Sequence, residues 1–506
     1  MRPADKDSIE RQRAPVLHVV DRRLAHDASW VFLCGLLILL QSLLVVTHRP
    51  WLDEYQALQI ALQSPDLSAL LDNLRYEGHP PLWYFLLQIA SVAVPAEWLL
   101  VGVQWPIALT IQLLILSRPP VSRLERLLFA ASFFVLFEYG VLSRSLSLGV
   151  LLTLVAFLYA KRPIGWIALA LLPSVDFLFG VLSLGLLVLA WRERRLAWPG
   201  VALWLVIGLA SAWSVRPPSD SVPAFILEGP IIDGLNQLMR LGALLVPIHM
   251  KGSAFIWNYP PPQLVALPAG WLFLYLGFRL LRGDRLALSL FFGLVSITSL
   301  FSILVYPLAI RHLSLCALTL VLLVWRRRSQ ALPRSPLFLA WLAVSAICGL
   351  FTAGLNLIKP FDTAREAALY IRAHGLADRH WVSFPESRGQ GVAALLGIQT
   401  ERPERDCLQS FVRWNYRSKI DTGAQLDAEL HRIAERSGRF YLLTDFPLPR
   451  EEMARSGDYR LLTHIGRGYV GQHFFLYQVL SDMPERRIAL PQCAPSLPPA
   501  AMLKPS

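Results

Sequence analysis

Charged residues are scarce in this sequence. Asp, Glu, Lys and Arg make up 17% of the 506 residues, whereas 54% of the residues are hydrophobic. So low a charged fraction does not fit an ordinary soluble domain. Repeated apolar blocks of about 15 to 20 residues fit α-helices that cross a hydrocarbon layer of about 30 Å. The composition therefore predicts a polytopic α-helical membrane protein.

The sequence also lacks several motifs of energy coupling and metal binding. It contains no Gly-rich loop ending in Lys that would cradle phosphates, no CxxC pair and no HExxH. This argues against a nucleotide-hydrolysing pump or a zinc site, so the energy for any transfer must come from the substrate. We expect no cofactor, although two neighbouring carboxylates could hold a divalent metal ion.

Cysteine is rare, with five residues in the chain. Three of them lie in apolar blocks, where a thiol usually acts as a small hydrophobic group. The other two, Cys407 and Cys493, lie in the polar C-terminal region. They could form a disulfide if that region faces an oxidising compartment, and the sequence leaves the pairing open.

Positive charge exceeds negative charge, giving a net charge of +12. The basic residues form short clusters at the ends of apolar blocks rather than one continuous face, so we expect membrane topology and not nucleic-acid binding to explain them. The segment 1–29 is basic, has no apolar core and no small-residue cleavage site, and is predicted to be a cytoplasmic tail.

About eleven membrane spans are predicted in a module covering residues 30–358. With a cytoplasmic N-terminus, every major basic cluster then lies on the cytoplasmic side. The segment 81–98 is predicted to be a juxtamembrane or re-entrant helix, because counting it as a span would invert all later clusters. The predicted spans are 30–47, 98–117, 127–143, 146–160, 164–175, 177–191, 197–214, 262–281, 286–305, 313–325 and 336–355.

The composition becomes polar after Lys359. Helical patterns at 362–374 and 424–437 alternate with β-rich runs at 381–384 and 440–443, which predicts an extracytoplasmic α/β domain over residues 359–506. The long segment 216–262 contains a weakly amphipathic stretch at 231–245 and is predicted to lie along the membrane surface or to close as a lid.

Two acidic residues, Asp53 and Glu54, follow the first span on the side opposite the basic clusters. A partly desolvated carboxylate at this depth suits a general base that takes a proton from a hydroxyl group. The simpler alternative is that Asp53 caps a helix running from Glu54 to Gln63.

The next polar motif is Glu77-Gly78-His79-Pro80-Pro81. Its glycine and prolines predict a rigid turn that holds Glu77 and His79 near the membrane surface. It could orient an acceptor or a phosphate, or it could be a plain turn capped by polar residues.

Three further cationic or titratable residues, Arg144, Arg311 and His312, are predicted at outer helix ends, against the bias that keeps arginine cytoplasmic. Guanidinium groups match phosphate oxygens, and a lipid-linked phosphate lies at this depth. The alternative is a structural ion pair with Glu138 or Asp176, or side chains that extend to the membrane surface.

The sequence resembles the GT-C fold glycosyltransferases that use polyprenyl-phosphate sugars. The resemblance is carried by the Asp-Glu pair after the first helix, the His-Pro-Pro-Leu turn and the later outward arginines. It is strongest to the branch that contains the protein O-mannosyltransferases and the lipid A aminoarabinose transferases. The resemblance covers about residues 30–320. It departs from the family after Arg144, where Ser-Leu-Ser replaces a common aromatic, and at Asp176.

The resemblance implies an enzyme of the inner membrane, with its site and C-terminus facing the periplasm. Such an enzyme transfers a sugar, with inversion, from a polyprenyl-phosphate carrier to a glycan, lipid or protein acceptor. By position, Asp53 and Glu54 would be the catalytic carboxylates. Substrate would be bound by Glu77, His79, Arg144, Arg311 and His312. Two alternatives remain open: a transporter or flippase for a lipid-linked saccharide, and an outer-surface sensor or assembly factor.

Overall fold

The computed structural model describes residues 27–118, 121–222, 228–247, 263–328, 335–448, 458–479, 483–486 and 488–493. Almost all of the predicted N-terminal tail, residues 1–29, lies outside these ranges. Residues 223–227 and 248–262 of the long segment 216–262 also lie outside these ranges.

Within the described ranges, the regular secondary structure up to residue 358 is helical. The helices, in chain order, are α1 Asp27–Thr47, α2 Leu52–Gln63, α3 Leu67–Glu77, α4 Leu82–Ser91, α5 Ala96–Ser117, α6 Arg123–Ala130, α7 Ser145–Leu158, α8 Pro163–Leu171, α9 Phe177–Arg192, α10 Trp198–Ser214, α11 Pro230–Gly242, α12 Gln263–Leu281, α13 Arg285–Leu304, α14 Ile310–Arg328 and α15 Pro336–Ile358.

Four of these helices, α1, α5, α13 and α15, are long and apolar enough to cross a membrane. Shorter apolar helices include α4, α7, α8, α9 and α10, and the apolar part of α12 belongs with them. Leucine, valine and tryptophan side chains on the outer faces of α1, α10 and α12 are exposed, as lipid-facing residues are. These apolar helices indicate a membrane-associated protein.

One predicted span, 127–143, is not a single helix. Helix α6 ends at Ala130, Ser132 accepts a hydrogen bond from the amide of Val135, and a short π-helix follows over Phe133–Glu138. Helix α15 approaches the break closely at Gly349, where a Cβ atom would lie 2.3 Å from the carbonyl oxygen of Ala131. Irregular backbone of this kind often marks a functional region.

The segment predicted as one helix over 81–98 is divided in two. Helix α4 follows Pro81 and ends at Ser91, and Ala96 begins α5. Asp53 does not cap α2, because the helix begins at Leu52 and Trp51 occupies the N-cap position. The amphipathic stretch at 231–245 is helical as α11.

The C-terminal region is an α/β domain with a six-stranded mixed sheet in the order β3-β2-β1-β4-β6-β5. The central strand β1 runs parallel to β2 and β4, and the remaining pairs are antiparallel. Cys407 and Cys493 form a disulfide. The elements are α16 Ala364–Ala373, β1 Trp381–Phe384, α17 Gln390–Leu396, β2 Thr400–Arg402, β3 Cys407–Gln409, α18 Gly423–Ser437, β4 Phe440–Thr444, β5 Tyr459–Ile465 and β6 Phe474–Val479.

The sheet buries both faces. Val382 and Leu442 point toward α18, whereas their neighbours Trp381 and Tyr441 join the large hydrophobic core of the helical part, as strand periodicity of two requires. At the junction Gly391 of α17 lies against the Tyr55 ring of α2, where a Cβ atom would come within 2.9 Å of the ring. The domain is therefore docked on the end of the helical module that carries Asp53.

Replacing Gly349 by alanine tests this close approach. We expect Gly349→Ala to lower the midpoint of thermal unfolding in detergent, because the added methyl group meets backbone atoms and overpacking costs about 1–3 kcal/mol. Gly354→Ala in the same helix is the control: its Cβ atom meets nothing within 4 Å, so the higher helix propensity of alanine should leave stability unchanged or raised. Equal effects of both substitutions would contradict the packing described here.

Candidate functional site

The candidate site lies where the N-termini of α2, α7, α9 and α14 meet. Asp53 is in the first turn of α2, Arg144 precedes α7, Asp176 caps α9 through a hydrogen bond from the amide of Leu178, and Arg311 is in the first turn of α14. Each helix N-terminus carries a partial positive charge from its unpaired amides, so their convergence favours a bound anion.

Asp53 is held by both Arg144 and Arg311. Its Oδ2 lies 3.3 Å from Nη1 of Arg144 and 3.1 Å from Nη2 of Arg311, and Arg144 also donates a 2.7 Å hydrogen bond to the backbone carbonyl of Asp53. The Arg311 guanidinium packs over the Trp51 ring, 5.3 Å from its centroid. Both arginines thus pair with Asp53, and one carboxylate bridges two side chains that are distant in sequence. Both arginines also interact electrostatically with Asp176.

Glu54 has a different environment from its neighbour. Its side chain is fully buried, and its two oxygens accept hydrogen bonds from the backbone amides of Trp51 (3.0 Å) and Ser143 (2.6 Å), while His48 lies 3.0 Å away. These contacts join the end of α1, the start of α2 and the segment before Arg144. Glu54 therefore holds the backbone on either side of Asp53 and Arg144.

Glu77 ends α3, beside the αL residue Gly78. The side chains of Gln56 and Trp414 donate hydrogen bonds to its carboxylate. Burial raises the pKa of Glu77 to about 7, because the effect of burial exceeds the opposite effect of these hydrogen bonds and of the nearby Arg144. A carboxyl group with this pKa titrates close to neutral pH.

His79 and His312 line the same region. Nδ1 of His79 lies 3.0 Å from the carbonyl oxygen of Glu77, and its Nε2 lies 4.0 Å from Asp176. Burial, with a further contribution from Arg144, lowers the pKa of His79. Nδ1 of His312 accepts a 3.2 Å hydrogen bond from the amide of Ala309. Both rings are thus oriented by backbone atoms.

Several residues at the site were not predicted from the sequence. Tyr84 of α4 interacts electrostatically with Arg144 and Glu77, and Tyr306 hydrogen-bonds to Arg311. Trp414 comes from the C-terminal domain and reaches Glu77. An aromatic residue within an apolar chain gives no local signal, so only the fold could identify these three.

The C-terminal domain forms one wall of the site. Gln56 exchanges two hydrogen bonds with the backbone of Val412, at 2.8 and 3.0 Å, and Arg413 donates a 2.6 Å hydrogen bond to the side chain of Asn73. The segment 410–414 is thereby fixed over α2 and α3. Chemically, the site offers guanidinium groups that can bind an anion and carboxylates that can accept a hydrogen bond from a hydroxyl group.

Within the ranges described, no group of three or more His, Cys, Asp and Glu side chains is arranged to hold a metal ion. The neighbouring carboxylates Asp53 and Glu54 do not form a shared pair of ligands, since Glu54 is directed toward His48 and Ser143 while Asp53 is directed toward the arginines.

No family model matches the chain, and no curated protein or solved structure matches it either. The resemblance to polyprenyl-phosphate-sugar glycosyltransferases therefore rests on the motifs themselves, and the site must be interpreted from its own geometry.

The raised pKa of Glu77 predicts a pH-dependent stability. Between about pH 4.5 and 7 the carboxyl ionises in the unfolded chain but stays protonated in the folded protein, so this group destabilises the folded state increasingly as the pH rises. Glu77→Gln removes the titration. We expect the melting temperature of the variant, relative to the unmodified protein, to rise by a few degrees, about 2–4 °C, from pH 5 to pH 8.

Glu97→Gln, at an exposed position at the start of α5, is the control for this measurement and should show no such trend. A constant difference between Glu77→Gln and the unmodified protein across this pH range would show that Glu77 does not titrate there.

Proposed function

We propose that this protein is a membrane glycosyltransferase that moves a sugar from a polyprenyl-phosphate carrier to an acceptor hydroxyl group, with inversion at the anomeric carbon. The observation that carries the proposal is the bridge from Asp53 to both Arg144 and Arg311 at four converging helix N-termini. A site with this charge arrangement can stabilise a departing phosphate and accept a proton in one place.

The two arginines would bind the donor phosphate. Guanidinium groups form paired, charge-assisted hydrogen bonds with phosphate oxygens, and the side chains of Arg144 and Arg311 are only 15% and 7% exposed, so the field they create is weakly screened. Four helix N-termini add to this field. As the bond between the anomeric carbon and the phosphate oxygen breaks, its electron pair leaves with the phosphate, whose growing charge the arginines stabilise.

Asp53 would accept the acceptor's proton. Without donor it keeps both guanidinium groups in place; a phosphate that takes over these contacts frees the carboxylate. The acceptor oxygen then attacks the anomeric carbon from the face opposite the phosphate, and its proton passes to Asp53. Glu54 would hold Asp53 in position through Trp51 and Ser143, and Glu77 and His79 would orient the acceptor and the sugar.

The proposal includes an orientation and a span count. Ten helices that coincide with predicted spans, together with the broken segment formed by α6 and the π-helix, would give about eleven crossings. The site, the α/β domain and its disulfide would lie on the periplasmic side of the inner membrane. Two features support this arrangement. Disulfides persist in oxidising compartments, and the basic clusters at the far ends of α7, α9 and α14 agree with the excess of arginine on cytoplasmic faces.

A labelled-donor assay on the purified protein tests the proposal. With a panel of polyprenyl-phosphate sugars and hydroxyl acceptors, Asp53→Asn should lower the transfer rate by about 10²–10⁴-fold, because the proton acceptor is lost, while donor binding stays measurable. Asp72→Asn, at an exposed position on α3, is the matched control and should retain activity.

Failure to detect transfer with any donor in the unmodified protein, combined with movement of a lipid-linked saccharide across vesicles, would favour the transporter over the enzyme.

The arginines predict a separate kinetic effect. Arg144→Gln or Arg311→Gln should each weaken donor binding by about 10–100-fold, because one charge-assisted hydrogen bond is worth about 1.5–3 kcal/mol. Arg75→Gln is the control, since the Arg75 side chain on α3 donates a hydrogen bond to the carbonyl of Arg216 and is not one of the two arginines paired with Asp53. Titration of a non-hydrolysable donor analogue measures the affinity; unchanged affinity in both site variants would exclude a phosphate role for these residues.

A further inference from the structure

A second region of the molecule carries features of a binding site, at the end of the helical module opposite Asp53. Helices α7, α9 and α14 begin at the candidate site and end here, 14 to 19 residues later. At 1.5 Å per residue this places the two regions about 20–30 Å apart. The second region cannot be part of the first.

A cavity of about 670 Å³ opens at this end, within the size range of ligand pockets. Five basic residues line it and only one acidic residue, Glu193, does so. The basic residues are Arg118, Lys161, Arg162, Arg195 and Arg326.

The charges of this cavity are only partly balanced. Glu193 pairs with Arg195 and with Arg326, and Arg326 also pairs with Asp284. Lys161 and Arg162, in the exposed turn between α7 and α8, form no ion pair with any acidic residue in the described ranges. The cavity mouth therefore carries positive charge available to an anionic ligand.

The cavity continues into an apolar slot. A second hollow of about 200 Å³ shares Phe157, Leu186 and Leu189 with the basic cavity and extends between α9, α13 and α14, where its lining is almost entirely aliphatic. A positively charged mouth joined to an apolar slot matches a molecule with an anionic head and a hydrocarbon chain.

Tryptophans place the mouth near the level of lipid head groups. Trp191 and Trp198, on either side of the turn that carries Arg195, are 62% and 72% exposed. Exposed tryptophan beside apolar helices is typical of the interface between hydrocarbon and water, and basic clusters at that level attract anionic lipids.

We propose that this cavity binds an anionic glycerophospholipid of the surrounding bilayer. Its phosphate would lie between Lys161, Arg162 and Arg118, and one acyl chain would enter the slot lined by Leu186, Leu189 and Gly293. The site is independent of the proposed glycosyl transfer, since it uses none of the residues near Asp53 and its occupancy can be measured without any enzymatic activity.

Native mass spectrometry of the full-length protein with added lipids tests this proposal. Phosphatidylglycerol should bind at least tenfold more tightly than phosphatidylcholine, which has the same chains but no net charge. Lys161→Gln/Arg162→Gln should abolish this preference, whereas Arg192→Gln/Arg285→Gln should keep it, because this control removes two exposed charges from the same end but outside the cavity lining. Equal affinity for both lipids, or equal loss in both double variants, would overturn the proposal.

Two further arms separate a phospholipid from other phosphate ligands. Gly293→Leu fills the slot without a steric clash at its Cβ atom, since that atom meets nothing within 4 Å; it should weaken phosphatidylglycerol binding at least tenfold. Inorganic phosphate at the same concentration should not displace the lipid. Unchanged binding in Gly293→Leu, displacement by inorganic phosphate, or preference for polyprenyl phosphate over phosphatidylglycerol would overturn the assignment.

Discussion

The three-way ion pair among Asp53, Arg144 and Arg311 is the interaction on which the candidate site depends. One carboxylate holds two guanidinium groups that are mostly removed from solvent. A buried charge that loses its partner costs about 3–5 kcal/mol, so the three side chains stabilise one another only as a set. In the proposed function, a phosphate that replaced the carboxylate would leave both arginines paired and would free Asp53.

This ion pair is supported by a second, fully buried carboxylate. Glu54 fixes the backbone on both sides of the pair through the amides of Trp51 and Ser143. The π-helix at 133–138 and the short segment after it bring Ser143 to that position. The two adjacent acidic residues therefore differ: Asp53 faces the site, whereas Glu54 holds the backbone around it. The C-terminal domain contributes Trp414 to the same site.

Much of the helical architecture could be predicted from the sequence, because apolar blocks and their polar ends are local features. Helix α5 and strand β1 lie within two residues of their predicted bounds. The break at Ala130 could not be predicted, since the run Phe133 to Phe137 is as apolar as an unbroken span and the residue packed against the break, Gly349, lies in a helix distant in sequence. The environment of Glu54 could not be predicted either, because its partner Ser143 is 89 residues away in the sequence. The same holds for the contact between Gln56 and Val412, which are 356 positions apart.

The most direct measurement of the central claim is a structure of the full-length protein, in a lipid nanodisc, with a non-hydrolysable polyprenyl-phosphate sugar. We expect the phosphate oxygens to lie within hydrogen-bond distance of both Arg144 and Arg311, and the Asp53 carboxylate to have left the arginines and to face the anomeric carbon. A donor phosphate bound elsewhere, with the Asp53 bridge to both arginines intact, would contradict it.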